Sequence, residues 1–233
     1  MIENLSIVFP MFNERAYVRD AIIKMSDVLK DITNDYEIII VDDASRDESG
    51  QIAEELSRHM PYIKVARHKK NRKLGGSLKT GFNLATKKLI LYSDMDMPFD
   101  FMEIKRAVHI LIEDKADLVS AYRLNRFDDG FRRYLYSSAY DIFLKVLFGL
   151  DVRDVNFSFK LMRSDFLKKI HLRSEGSFID AEMLIKARRL HAKIAQFGVR
   201  YFPRLNGSSR LSTFGVIFKI LKEAFAFRLG FLK

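Results

Sequence analysis

Short apolar runs alternate along the chain with longer stretches in which apolar residues recur every three or four positions. Residues 5–9 (Leu-Ser-Ile-Val-Phe), 37–41 (Glu-Ile-Ile-Ile-Val), 62–66 (Tyr-Ile-Lys-Val-Ala) and 89–92 (Leu-Ile-Leu-Tyr) read as buried strands. Val18, Ile22, Met25 and Leu29 share one face of a helix expected to open at Asn13 and Glu14 and to run through Lys30. Ser45 reads as the cap of a second helix reaching about His59, with Asp47 and Glu48 in its first turn. A third helix is expected from about Ser77 to Thr86, a fourth over 101–114, a strand over 116–121 and an apolar helix over 134–150, either packed on the core or lying at a membrane surface. Strand–helix alternation of this kind predicts an α/β fold, a mostly parallel sheet flanked by helices with right-handed crossovers.

The tail (residues 214–233) is rich in Phe, but Lys219, Lys222, Glu223 and Arg228 interrupt it. It is therefore expected as an amphipathic helix lying in a membrane interface, not as a span. A terminal helix packed on the core or on a second subunit is the alternative. The expected division is a domain over residues 1–212 and this helix over 213–233.

At 233 residues the chain can bury a sizeable core. It has no cysteine, which fits a reducing compartment, and no secretory signal is expected from its first residues. The net charge of +10 is uneven. Residues 1–120 hold 18 Lys and Arg against 20 Asp and Glu, whereas residues 121–233 hold 22 against 10. The second half is thus expected to meet something anionic: phosphates, nucleic acid or a lipid surface. No nucleic-acid motif accompanies the charge, and acidic strand ends would repel a phosphate backbone, so nucleic acid is not expected.

Those strand ends carry the candidate chemistry. Asn13 and Glu14 follow the first strand, Asp42 and Asp43 the second, and Asp94 and Asp96 the fourth. Asp94 and Asp96 stand two apart, and in an extended segment both would leave on one side, where like charges call for a hard divalent cation between them. Further on, Arg123, Arg126, Arg132 and Arg133 suit phosphate, because the guanidinium fork donates two hydrogen bonds at once.

The motifs at residues 9–14 (Phe-Pro-Met-Phe-Asn-Glu), 41–47 (Val-Asp-Asp-Ala-Ser-Arg-Asp), 71–81 and 93–96 (Ser-Asp-Met-Asp) resemble, in order, those of glycosyltransferase family 2, inverting enzymes with the GT-A (Rossmann-like) fold. The resemblance implies a nucleotide-sugar pocket shaped by Pro10, Asn13, Glu14, Asp42, Asp43 and Lys73. It implies Asp94 and Asp96 at the metal and diphosphate, with Asp96 catalytic and Mg²⁺ or Mn²⁺ as the cation. Residues 154–163 and 178–184 are similar to the branch that charges polyprenyl or dolichyl phosphates with mannose or glucose. This adds Lys160, and residues 203–211 add Arg204, Ser209 and Arg210 near phosphate. Two residues depart from the pattern. Pro98 stands where mannosyltransferases of the branch often carry a Gln that helps the metal, and Ser158 stands where Gly is usual.

The expected activity is transfer of a hexose from GDP-mannose or UDP-glucose to a polyprenyl or dolichyl phosphate. The enzyme would sit peripherally at the cytoplasmic face of a membrane, with Arg123 at the reacting phosphate. A hydroxyl acceptor would instead need a general base, for which Asp180 and Glu182 are the candidates. Outside enzymes the alternatives are a nucleotide-sugar-binding module without catalysis and, less favoured because no motif supports it, a basic nucleic-acid-binding protein. A second copy of the chain or a membrane-anchoring partner is left open.

Overall fold

A computed structural model describes residues 4–126, 130–203 and 214–230. In chain order the strands are β1 (Leu5–Met11), β2 (Tyr36–Asp42), β3 (Ile63–Arg67), β4 (Leu89–Ser93), β5 (Leu118–Arg123), β6 (Phe159–Arg163) and β7 (Ile194–Val199). The helices are α1 (Val18–Ile32), α2 (Ser49–His59), α3 (Lys73–Leu84), α4 (Glu103–Glu113), α5 (Phe131–Phe148), α6 (Ser164–Leu167), α7 (Ile179–Arg189) and α8 (Phe214–Arg228).

The strands form one sheet of order β3-β2-β1-β4-β6-β5-β7. Every neighbouring pair is parallel except those made by β6, which runs antiparallel to both β4 and β5. Ile7, Phe9, Ile38, Ile40, Leu89 and Leu91 face one apolar cluster, and Val8, Ile39, Val41, Ile90 and Tyr92 face the other. Sheets covered on both faces need such unbroken apolar strands. α1 buries Val18, Ala21, Ile22, Met25 and Leu29, the three-and-four spacing of a helix with one face on the sheet.

Parallel register puts Met11 beside Asp42 and Val8 beside Tyr92, so β1, β2 and β4 end along one edge. β6 begins at the same edge, with Ser93 paired to Phe159 and Tyr92 to Lys160. Ligands of open α/β sheets bind at this carboxyl edge.

Several elements depart from expectation. β6 and β7 were not foreseen. Ser45 does not cap α2, which starts at Ser49, because the Ser45 hydroxyl accepts the Asn13 amide instead. α1 starts at Val18, not at Asn13 and Glu14, whose amides are held by the loop after β2. α3 starts at Lys73 and so contains Gly75 and Gly76. A Cβ on Gly75 would fall 2.2 Å from the Ser174 carbonyl oxygen, so glycine is what lets α3 approach that backbone.

α8 lays Ile220, Ala224 and Phe227 into the second cluster, and the Phe227 ring meets those of Phe148 and Phe178. No described helix is long and apolar enough to cross a membrane.

Candidate active site

At the end of β2, Asp42 is fully buried. Its Oδ1 accepts the Ser45 amide at 2.9 Å and its Oδ2 lies 3.1 Å from Arg67 Nε, a charge pair that ties β2 to β3. Asp43 anchors the next turn. Its amide donates to the Met11 carbonyl at 2.8 Å, and its Oδ1 accepts the Arg72 amide at 2.7 Å. The same Oδ1 is 2.7 Å from His68 Nδ1, and His68 Nε2 is 2.9 Å from Thr80 Oγ1. His68 thus bridges Asp43 and Thr80 through its two ring nitrogens.

Asn13 takes a left-handed backbone (φ 57°) that suits its short polar side chain. Its amide donates to Ser45 Oγ at 2.9 Å and its Oδ1 accepts the Arg46 amide at 2.8 Å. The Glu14 amide donates to Ser49 Oγ at 2.8 Å. Asn13 and Glu14 therefore clamp the loop that follows Asp43. Pro10 lies in β1 beside Val41. Ala44, Ser45, Arg67, His68 and Lys69 line an open cleft of about 390 Å³ beside this loop. Arg67 and His68 were not singled out from the sequence. The basic segment after β3 was the available signal.

Asp94 and Asp96 follow β4. The strand stops at Ser93 and the chain turns at Met95 and Asp96, so an extended alternation does not account for their placement. Both carboxylates nevertheless act on one group, the Tyr92 hydroxyl. Burial first, then the charges of Asp180, Asp94 and Asp96, push that phenol well above its ordinary range. Met97 is left-handed (φ 55°), and the Pro98 carbonyl accepts the Phe202 amide at 2.9 Å, which fixes the segment after the two carboxylates.

Among the described residues no three His, Asp or Glu gather in a metal-binding cluster. Two hard carboxylate oxygens still fit Mg²⁺ or Mn²⁺, since Mg²⁺ is commonly held by one or two carboxylates with water and substrate phosphates completing its shell. Pro98 offers no side-chain donor.

Behind this edge lies a buried polar group. Tyr92 is hydrogen-bonded to Asp180, which is 3.4 Å from Lys160 Nζ, and Lys160 Nζ also donates to the Phe157 carbonyl. Asp180 and Lys160 are 1% and 0% exposed. Burial raises the Asp180 carboxyl against the pull of Lys160. Glu182 is also fully enclosed, with Oε1 accepting the Arg173 amide and Oε2 the Ser174 amide, each at 2.8 Å. Lys186 Nζ is 2.6 Å from Glu182 Oε1. Burial opposes the Glu182 charge, but Lys186 and the Ser174 and Arg173 bonds hold its carboxyl below the usual range.

Several expected site residues stand inside the protein. Neither Asp180 nor Glu182 is exposed to an incoming hydroxyl; one joins an internal network and the other holds the 173–174 segment. Lys160 is a buried cation paired with Asp180. Arg123 is bound in two places to Asp154, with Nε–Oδ2 at 2.8 Å and Nη2–Oδ1 at 2.9 Å. Arg126 joins the same group through Asp141 at 3.1 Å.

Lys73 opens α3 in a left-handed conformation (φ 60°). It faces Lys219 and Glu223 of α8, and the neighbouring Lys219 amine, followed by partial burial, holds its ammonium below the lysine range. Arg132 and Arg133 belong to the first turn of α5. Arg204, Ser209 and Arg210 lie outside the described residues.

The profile of "Glycosyl transferase family 2" matches residues 6–171. Among curated proteins, the dolichyl-phosphate beta-glucosyltransferase of Dictyostelium discoideum is 26% identical, covering 98% of this chain and 75% of its own. The dodecaprenyl-phosphate galacturonate synthase of Rhizobium johnstonii is 26% identical over 96% of this chain and 67% of its own. The undecaprenyl-phosphate 4-deoxy-4-formamido-L-arabinose transferase of Yersinia pestis is 28% identical over 93% of this chain and 65% of its own. Among solved structures, glucosyl-3-phosphoglycerate synthase from Mycobacterium tuberculosis, in complex with Mn²⁺, UDP and phosphoglyceric acid, superposes with a TM-score of 0.75. It covers 98% of this chain and 79% of its own at 17% identity, a likeness of fold.

Proposed function

Since the chain belongs to glycosyl transferase family 2, we propose that it moves a hexose from a nucleoside-diphosphate sugar to a polyprenyl phosphate, with inversion at the anomeric carbon. The observation that carries the acceptor is the burial of Asp180 and Glu182. A sugar hydroxyl must lose a proton as it attacks and needs a base within reach. A phosphate monoester is already ionised at neutral pH and needs none. The three curated relatives described above, each named for a polyprenyl-phosphate acceptor, support the same choice.

In this reading the phosphate oxygen attacks the anomeric carbon while the bond to the nucleoside diphosphate breaks, and no proton is transferred. The work left to the protein is positioning and the stabilisation of charge. The nucleoside end takes the cleft between the loop after β2 and the start of α3, whose walls Asp43, His68 and Arg72 hold together. Pro10, Asn13 and Glu14 keep the loop beneath it in place. Asp94 and Asp96 would hold Mg²⁺ or Mn²⁺, which when bound offsets the charge on the leaving diphosphate. Arg132, Arg133, Arg204, Ser209 and Arg210 are the groups proposed for the acceptor phosphate. UDP-glucose is the first donor to try and GDP-mannose the second. The site of action is the cytoplasmic face of a membrane, with the protein attached peripherally.

The test is incubation with radiolabelled donor, Mg²⁺ and a short polyprenyl phosphate. Label entering the organic phase, and suppressed by a chelator, supports the reading; donor binding without lipid labelling would move the acceptor to a hydroxyl.

A further inference from the structure

α5 is apolar on two opposite sides. Leu144 is fully buried on the inner side, and Tyr140, Phe143 and Phe148 pack against the same cluster. On the outer side Phe131, Leu135, Ile142 and Val146 are 64%, 46%, 63% and 82% exposed. Steps of four, seven and four residues put these side chains in one line along a helix, with the exposed Ala139 between them. A helix that is apolar all round is ordinarily covered on every side. Among the described residues only the inner side packs on the apolar cluster. α8 meets α5 on the inner side, where the Phe143 and Phe225 rings lie 5.6 Å apart, and it adds two exposed apolar side chains of its own, Phe225 and Leu229, which are 50% and 68% exposed.

The charge around this face decides what covers it. α8 itself carries Lys219, Lys222 and Arg228 against one carboxylate, Glu223. Lys222 and Arg228 are exposed on α8 beside Phe225 and Leu229. A second copy docked on this face by two-fold symmetry would set basic surface against basic surface. An anionic surface complements it.

We infer that the α5–α8 face docks on an anionic lipid surface. Phe131, Leu135, Ile142 and Val146 enter the boundary between headgroups and acyl chains, and the basic residues of α8 lie among the phosphates. The inference deepens the proposed function and rests on it, since a polyprenyl phosphate is presented by such a surface. It moves the contact from the tail, whose Ile220, Ala224 and Phe227 are buried in the protein, to the outer stripe of α5.

The test is flotation of the full chain with vesicles of phosphatidylcholine, with or without phosphatidylglycerol, beside the double variant Ile142→Glu/Val146→Glu. Both positions are solvent-exposed, so the variant should melt with the parent; should it melt lower, Val146→Glu alone makes the same comparison. The parent should float with the anionic vesicles only, and the variant should lose about tenfold or more in apparent affinity. Equal flotation of parent and variant would overturn the inference. So would a parent that ignores lipid but forms dimers, seen by sedimentation velocity, that the variant dissolves. Turnover with a short, water-soluble polyprenyl phosphate is read on the same samples. Its absence in the parent would refute the proposed function while leaving the flotation result to stand.

Discussion

Arg123 and Asp154 form a two-point ion pair that joins the end of β5 to the turn before β6. The Arg123 amide donates to the same carboxylate at 3.0 Å, so three bonds converge on Asp154. Both residues are buried, and Asp154 adopts a left-handed backbone (φ 55°) to reach this position. The Asp154 amide in turn donates to Asp141 of α5 at 2.9 Å.

Removing one member of such a pair leaves the other buried and uncompensated. Arg123→Ala or Asp154→Ala should each cost about 3–5 kcal/mol. A double variant with apolar residues of similar volume should cost less than either single change. Urea unfolding of the three proteins decides this; an unchanged midpoint in the single variants would remove the pair from the fold's support.

Asp154 also sets an acid limb of stability. Burial pushes its carboxyl up, but the hydrogen bonds and charge of Arg123, with the charge of Arg126, outweigh it and hold the group below the ordinary aspartate value. Because the folded value lies below the unfolded one of about 3.9, its contribution is present above that pH and is lost as pH falls through the folded value. Glu182, also held low, adds to the same limb. Unfolding midpoints should fall below about pH 4, and Asp154→Asn, weaker at neutral pH, should show the shallower slope there.

Asp94→Asn combined with Asp96→Asn changes almost no volume. Transfer should drop by about a thousandfold or more, the several kcal/mol expected of a lost charge clamp. The melting temperature should stay within a few degrees of the parent. Initial rates with Mg²⁺ and Mn²⁺ check it, and full activity in the variant would end the role given to these carboxylates.

Glu182→Gln separates a structural carboxylate from a base. A base would cost about 10²–10⁴ in kcat. The buried acceptor of the Arg173 and Ser174 amides should instead lower stability while kcat of the folded protein stays within about tenfold. Thermal melts and steady-state rates on one preparation distinguish the two.

Gly75→Ala should destabilise by about 1–3 kcal/mol, because the added carbon meets the backbone of Ser174 and the segment must move. A melt unchanged by the substitution would mean that α3 and this segment can part freely.

Local patterns made part of this molecule legible. β1, β2 and β4 are continuous apolar runs, and the polar residues that end them mark the sheet edge where Asp42, Asp43, Asp94 and Asp96 stand. β6 was hidden because its second residue, Lys160, reads as a surface residue, yet it is paired inside the fold with Asp180, a residue twenty positions away. β7 was masked by Gln196 and Gly198. The phosphate-binding reading of Arg123 was sound in its chemistry. Its real partner, Asp154, lies 31 residues further on, a pairing that no local pattern carries. The acidic start of α7 looks like a catalytic pair in sequence, and only packing reveals that both carboxylates face inward.

The most direct measurement compares two acceptors of equal chain length, a short polyprenyl phosphate and its dephosphorylated alcohol, with radiolabelled UDP-glucose and Mg²⁺, then with GDP-mannose. A phosphate acceptor working without a base predicts glycosyl phosphate from the first and no product from the alcohol. Transfer to the alcohol at a comparable rate would contradict it, because the protein would then have to supply a base that neither Asp180 nor Glu182 is placed to be.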